Sequence, residues 1–206
     1  MRTVPRAIAE LAPELRADRD SRILDFGCGV VAYRHLFATE ANYAAADLPG
    51  NPRASLHLNP DGSVPTPDDS FDAVLSTQVL EHVTDPGLYL SECFRVLRPG
   101  GRLLLSTHGT FVYHPDPDDY WRWTCAGLQK AVRDAGLDVV LFRGIIGGLP
   151  TGLQLAQDAI YWQLPRLLRA PFALVMQTVI ALSDRLHSQA SRNYNAQVFA
   201  LVAEKP

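Results

Sequence analysis

The chain has 206 residues, 47% of them apolar, and a formal net charge of −3, which suffices for a full core in one domain or one domain with an insertion. That near-neutral balance argues against nucleic acid as the main partner, because phosphate backbones select basic surfaces. The three cysteines, Cys28, Cys93 and Cys125, have no framework spacing and argue against a disulfide scaffold and for a reducing, cytoplasmic compartment.

Val4–Ala17 reads as an amphipathic helix with Ile8, Leu11 and Leu15 on one face. The stretch Met1–Arg22 carries four carboxylates and no apolar h-region, so no signal peptide is expected. Arg22–Phe26 is the first predicted strand and Val30–Ala38 the helix after it. Tyr43–Asp47 is a second strand, Ser55–Leu58 a short third, and Phe71–Ser76 a buried fourth with Asp72 at its mouth. Pro86–Leu97 reads as a helix stopped by Pro99-Gly100-Gly101, with Arg102–Thr107 as the fifth strand. His108–Thr124 is a polar, aromatic loop, long for a compact domain, and such loops are usually functional. Ala126–Ala135 is a helix closed by Gly136, Asp138–Arg143 starts a sixth strand, and Ala196–Ala203 alternates enough to sit at a sheet edge. Between the last two, Gly147–Asn195 reads as two or three helices broken by Pro150, Pro165 and Pro171. The order predicts βαβ units and one α/β domain over residues 1–206: a doubly wound seven-stranded sheet with a helical insertion, 147–195, between strands six and seven.

The segment Ile23-Leu-Asp-Phe-Gly-Cys-Gly29 is a strand running into a tight glycine turn, where backbone must adopt positive φ or touch a ligand closely. Asp47 follows 22 residues after Asp25, at the end of the next strand, and suits a carboxylate that grips a ribose diol. Gly27, Gly29 and Ala32 also fit a dinucleotide fingerprint with its permitted terminal Ala. Asp25 separates the two ligands: a carboxylate there repels a pyrophosphate but suits a cofactor carrying an ammonium and a sulfonium.

Taken in order over residues 23–143, the chain resembles the class I S-adenosylmethionine-dependent methyltransferase family, in its small-molecule branch. The residues that carry the resemblance are Asp25-Phe-Gly-Cys-Gly29, Asp47, Asp61-Gly-Ser-Val-Pro65 with Asp69-Ser-Phe-Asp72, Gln78-Val-Leu-Glu-His-Val83, and Arg95-Val-Leu-Arg-Pro-Gly-Gly101. The resemblance implies a Rossmann-like methyltransferase sheet and S-adenosyl-L-methionine as cofactor. It implies Gly27 and Gly29 under the methionyl part, Asp47 on the ribose, Asp61 on the adenine amino group with Gly62 giving room, and Gln78 near the methionine end. Asp25 would orient the loop or reach the amino group through water, and Cys28 and Leu48 would complete the cofactor set. Where the family usually has a third glycine this chain has Val31, which is expected to narrow the loop, favour an ordinary helical start and weaken cofactor binding. Tyr33-Arg-His-Leu-Phe37 is similar to relatives found with glycan and cell-envelope genes; Arg34 pairs with the cofactor carboxylate or is a surface residue.

Methyl transfer needs alignment, and a hydroxyl acceptor needs a base. The expected base is His108 or His114, with Asp119 and Tyr120 beside them in a loop that also holds Trp121 and Trp123. Aromatic faces and carboxylates together suit a small or glycan-like acceptor, with O-methylation expected; the tryptophans serve equally as loop anchors. Glu81 and His82 with a loop histidine could hold a metal. Gln78 stands where some relatives have a further glutamate, so no metal is expected. Two alternatives stay open: a nicotinamide-dependent oxidoreductase, opposed by Asp25 and by the lack of a Tyr-x-x-x-Lys pair, and a non-catalytic binding module, which Val31 would permit.

In the insertion, Leu153, Ala156, Ile160 and Leu164 share a helical face. Phe172–Leu182 is apolar but for Gln177 and Thr178, is preceded by Arg166 and Arg169, and reads as too short to span a bilayer. It is a lid over the site, a homodimer surface, or a face for an anionic membrane or lipid-linked acceptor through 150–190, peripheral to the bilayer. From Arg143 to Arg192 there are five Arg and two Asp, a local +3 that leaves −6 for the rest.

Overall fold

Seven strands, β1 (Ile23–Phe26), β2 (Tyr43–Asp47), β3 (Leu56–His57), β4 (Phe71–Thr77), β5 (Leu97–His108), β6 (Asp138–Gly147) and β7 (Ala196–Glu204), form one sheet in a computed structural model that describes residues 3–37 and 42–206. Their order is β3-β2-β1-β4-β5-β7-β6. The pairs from β3 to β5 are parallel, and β7 runs antiparallel to both β5 and β6. The helices are α1 (Val4–Leu11), α2 (Pro86–Val96), α3 (Cys125–Asp134), α4 (Gly148–Tyr161), α5 (Arg166–Asp184) and α6 (Gln189–Tyr194), the last three lying between β6 and β7.

Alternate side chains of the central strands enter opposite layers, as the strand period demands. Leu103 and Leu105 pack with Leu90 and Cys93 of α2 and Leu128 and Val132 of α3. Leu104, Ala73 and Leu75 face Ile8 and Leu11 of α1 on the other side. Both faces are therefore covered, which is why these strands read as continuous apolar runs. Local chemistry marks the helix starts. Asp85 caps α2 by accepting from Leu88 N at 3.0 Å, with Pro86 next to it, and Thr124 caps α3 by accepting from Gly127 N at 3.0 Å.

The structure departs from the sequence expectations in four places. The α1 helix ends at Leu11 and passes into a 3-10 turn, Ala12–Leu15, because Pro13 has no N–H to continue the ladder. No α-helix begins at Val30. Val31 N donates to Cys28 O at 2.7 Å, Val31 takes φ 57°, and a 3-10 turn at Arg34–Leu36 follows; a left-handed residue cannot start a right-handed helix. Ala38, the expected end of that helix, lies outside the described residues. The third departure is β7, which is not an edge strand. It is inserted between β5 and β6 and buried at seven of its nine positions, while β6 takes the edge. Finally, Pro165 separates α4 from α5, but Pro150 sits in the first turn of α4, where its missing N–H costs nothing, and Pro171 is carried inside α5. Helix α5 is thus 19 residues long and, by length and composition alone, apolar enough to cross a bilayer.

Candidate functional site

The strand order reverses between β1, which leads outward to β2, and β4, which leads to β5. Ligand crevices form outside the carboxyl ends of strands at such a point. A cavity of about 790 Å³ opens there. Its walls come from the turn after β1 (Gly27, Gly29), the end of β2 (Asp47, Leu48), the 61–63 turn, the segment from Gln78 to Asp85 after β4, and Asp116–Asp118 of the long loop.

The turn after β1 is held by specific contacts. Gly27 has φ 79°, and a Cβ there would meet Val79 Cγ2 at 2.5 Å, so no larger residue fits. Gly29 N donates to Asp47 Oδ2 at 2.9 Å. Asn51 Nδ2 donates both to Asp47 Oδ2 (2.6 Å) and to Gly29 O (2.8 Å), clasping the turn to the end of β2. Leu48 N donates to Asp47 Oδ1 at 2.8 Å. The carboxylate of Asp47 is thereby fixed in orientation at the cavity wall, with Oδ2 filled and acceptor capacity remaining on Oδ1 for a hydroxyl.

Asp25 and Cys28 lie behind this wall and do not line the cavity. Asp25 is 1% exposed and accepts from the Tyr43 hydroxyl at 2.7 Å. Burial lifts its carboxyl to about 6; the Tyr43 hydrogen bond opposes the rise, the Asp47 charge adds to it, and Arg34 opposes it. Arg34 stands over the Tyr43 ring at 5.4 Å, and its buried Nε has no hydrogen-bond partner. Burial, with the charges of Asp25 and Asp47, pushes the Cys28 thiol up to about 12, so it is not a nucleophile. At the far rim Asp61 Oδ1 accepts from Ser63 Oγ (2.7 Å) and Ser63 N (3.0 Å), which lowers its pKa and keeps it ionised. Gly62 beside it leaves open space, with nothing within 4 Å of a Cβ position. Gln78, at φ 56°, is anchored on β5 by N to Ser106 O (2.9 Å) and Nε2 to Ser106 Oγ (3.1 Å). Of the nine residues expected to hold a cofactor, seven share this one cavity.

The four expected catalytic residues are placed differently, and none lines the cavity. His108 is 4% exposed, stacked on Phe111 at 4.1 Å between centroids, with its Nδ1 unpartnered. Burial drives its pKa down to about 4, aided by Arg122, so it is neutral and shut away. Its neighbour Glu81, fully buried, accepts from Thr107 Oγ1 at 2.8 Å and is pushed the opposite way, upward, by the same burial. Asp119 is gripped by Arg122 through both oxygens at 2.6 Å, which holds its carboxyl at about 2 and leaves it a poor base. His114 and Tyr120 are exposed outside the cavity. The cause is the path of the loop. Arg122 also donates to Phe111 O (3.0 Å) and Val112 O, Trp121 Nε1 to Val83 O (2.8 Å), and Tyr120 N to Glu81 O (2.8 Å). These bonds turn Asp116-Pro117-Asp118 toward the cavity and use the tryptophans as anchors. Trp121 and Trp123, offered by the sequence as stacking faces, are thus not among the residues that line the cavity.

His82 does line the cavity, a position the sequence suggested only for a metal. Its Nδ1 bonds to the Asp118 carbonyl oxygen. A carbonyl only accepts, so Nδ1 is the donor, and in the neutral tautomer this bond selects the lone pair is on Nε2. Behind it the rings of His108 and His114 stand 6.5 and 6.2 Å away. Among the described residues no group of three or more His, Cys, Asp or Glu has metal-binding geometry.

Residues 24–105 match a family model described as a methyltransferase domain. The chain is 38% identical over 158 residues to the ubiquinone biosynthesis O-methyltransferase of Dinoroseobacter shibae, covering 61% of this chain and 63% of that protein. It is 35% identical over 103 residues to a protein of Mycolicibacterium smegmatis named as an S-adenosylmethionine-dependent methyltransferase, covering 47% and 40%. It thus spans less than two thirds of these relatives. Among solved structures, the [4+2]-cyclase SpnF superposes with TM-score 0.61 at 18% identity, over 97% of this chain and 81% of that one. The 1,6-didemethyltoxoflavin-N1-methyltransferase of Burkholderia thailandensis, bound to 1,6-didemethyltoxoflavin and S-adenosylhomocysteine, superposes with TM-score 0.59 at 18% identity, over 97% and 76%. These two share one fold and carry different reactions, so the reaction has to be argued from the site.

Proposed function

We propose that this chain, a class I S-adenosylmethionine-dependent methyltransferase by its fold and by its residues 24–105, methylates a hydroxyl of a small acceptor with His82 as the base. The observation that carries this is the charge of the cavity. Six carboxylates, Asp47, Asp61, Asp85, Glu92, Asp116 and Asp118, line it and, among the described residues, no lysine or arginine does. Such a wall favours a ligand with an ammonium and a sulfonium and repels a pyrophosphate, which speaks against the nicotinamide alternative. Val31 keeps a left-handed backbone, packs against the α1-facing core and is not among the residues that line the cavity, which speaks against a module that has lost its cofactor.

When bound, S-adenosylmethionine supplies an electrophilic methyl group on a good leaving group, so the protein has to align and deprotonate. Asp47 would hold the ribose hydroxyls, Asp61 the adenine amino group over Gly62, Gly27 and Gly29 the methionyl chain, and Gln78 its far end. His82, fixed by Asp118, takes the acceptor's proton at Nε2 as the oxygen attacks. Oxygen is favoured as the acceptor atom because an amine or carboxylate would not require this oriented imidazole; the similarity to O-methyltransferases agrees.

Isothermal titration with S-adenosylhomocysteine, with NAD as control, tests the cofactor. Micromolar binding of the first alone, lost in Asp47→Ala, is expected; binding of NAD, or of neither, overturns it. With a panel of hydroxylated acceptors and labelled methyl donor, His82→Gln should lower kcat about 10²–10⁴-fold with unchanged S-adenosylhomocysteine affinity. An unaffected kcat would remove His82 as the base.

A further inference from the structure

Helices α4 and α5 form a hairpin. Across its inner seam Gln177 Nε2 donates to Gln154 Oε1 and Gln157 Oε1, each at 2.9 Å, and Ile180, Ser183 and Asp184 are buried. Its outer face is apolar. Leu167, Leu174, Val175, Val179, Leu182 and Leu186 are exposed at helical spacing along and just past α5, Leu167 at 87%. At the turn between the helices Trp162 is 73% exposed, with the Arg169 guanidinium 5.1 Å over its ring.

We propose that this hairpin lies on an anionic membrane surface, its leucine and valine stripe at the headgroup–acyl boundary and its arginines among the headgroups. A contiguous exposed apolar strip of this kind marks a contact surface, and charge selects the partner. Between residues 148 and 187 the carboxylates are Asp158 and Asp184, and Asp184 is buried against Arg192 at 3.2 Å. Arg166 and Arg185, at opposite ends of the stripe, are exposed and form no ion pair among the described residues. A second copy docked symmetrically on the stripe would bring arginine towards arginine with no carboxylate to answer it; an anionic headgroup answers both. Apolar face, flanking arginines and a tryptophan at the boundary are the composition of interfacial helices. The glutamine seam ties α5 to α4, so it lies along the surface rather than through it. The residues outside 143–192 carry −6 and are repelled by the same surface, which fixes the orientation. Because β6 runs parallel to β5 and feeds α4 directly, the hairpin leaves the sheet at the edge where the cavity opens.

Flotation of the full chain with vesicles of phosphatidylglycerol and phosphatidylcholine (1:1), against phosphatidylcholine alone, tests this. Binding to the anionic vesicles alone is expected, with a blue shift of tryptophan emission that disappears in Trp162→Phe. Replacing Arg166, Arg169 and Arg185 by Gln should weaken partitioning roughly 100-fold, about fivefold per arginine, and Leu174→Glu should abolish it. Circular dichroism checks folding without reference to the cofactor, so failure here is separable from failure of the methyltransferase assignment. Equal binding to both vesicles, no binding by the folded chain, or a dimer dissociated by Leu174→Glu that ignores vesicles overturns the proposal.

Discussion

Asp25→Asn should stabilise the protein, and increasingly so as pH rises. Asp25 is 1% exposed, and burial places its carboxyl at about 6 against an ordinary 3.8. The folded pKa lies above the unfolded one, so the native state holds this proton more tightly. The stability that goes with the neutral form is present in full below the unfolded pKa and is lost as pH rises through 6. A gap of roughly 2 in pKa amounts to about 3 kcal/mol lost at pH 8, about half of it already by pH 5. Asparagine has the same shape, can still accept from the Tyr43 hydroxyl that now donates at 2.7 Å, and carries no charge. Urea unfolding of both proteins at pH 5, 6, 7 and 8 measures the difference, and any constant offset from the amide cancels in its pH dependence. The variant should gain about 1.4 kcal/mol on the parent between pH 5 and pH 8. A flat difference, or one that shrinks with pH, would refute the assignment of Asp25 as a carboxylate ionised against its surroundings. The same charge lies behind the cofactor turn, so S-adenosylmethionine affinity should fall in the variant: a stability–function trade-off at one residue.

Val31→Gly relieves a left-handed valine, worth about 1–2 kcal/mol, but adds about 0.5–1 kcal/mol of unfolded-state entropy and removes a half-buried side chain from the α1-facing core. Stability measured by urea should move by less than about 1 kcal/mol, and S-adenosylhomocysteine affinity by less than about threefold, since the turn already has the glycine geometry; a tenfold tightening would show that valine distorts it. Arg122→Ala removes the clamp on Asp119, Phe111 O and Val112 O. Limited proteolysis between residues 109 and 123 should accelerate about tenfold or more, the loss of a few charge-assisted bonds, and an unchanged cleavage rate would show that the loop is held elsewhere. Lys205 donates to Asp69 Oδ1, Phe94 O and Leu97 O at 2.7–2.9 Å and packs on the Phe94 ring. Lys205→Met should cost about 2–4 kcal/mol by leaving buried carbonyls unpaired, read as a lowered midpoint in thermal unfolding.

The glycine turn after β1 was legible because its chemistry is local. Gly27 must be glycine for a backbone reason, and Asp47 ends the very next strand, so a short stretch of chain carries the geometry. The parallel strands were legible because burial on both faces leaves continuous apolar runs. The long loop was not, because Arg122 holds it through the carbonyls of Phe111 and Val112, and backbone acceptors leave no mark in side-chain patterning. The alternation of Ala196–Ala203 suggested an edge strand, and His108 was read as a base because it directly follows the fifth strand. Instead β7 pairs with β5 along its length, and His108 sits opposite Val198. A histidine at a strand end is a plausible base only if that end is uncovered. Here the neighbouring strand covers it, burial neutralises it, and the oriented imidazole at the cavity wall is His82, held by a carbonyl 36 residues further along the chain.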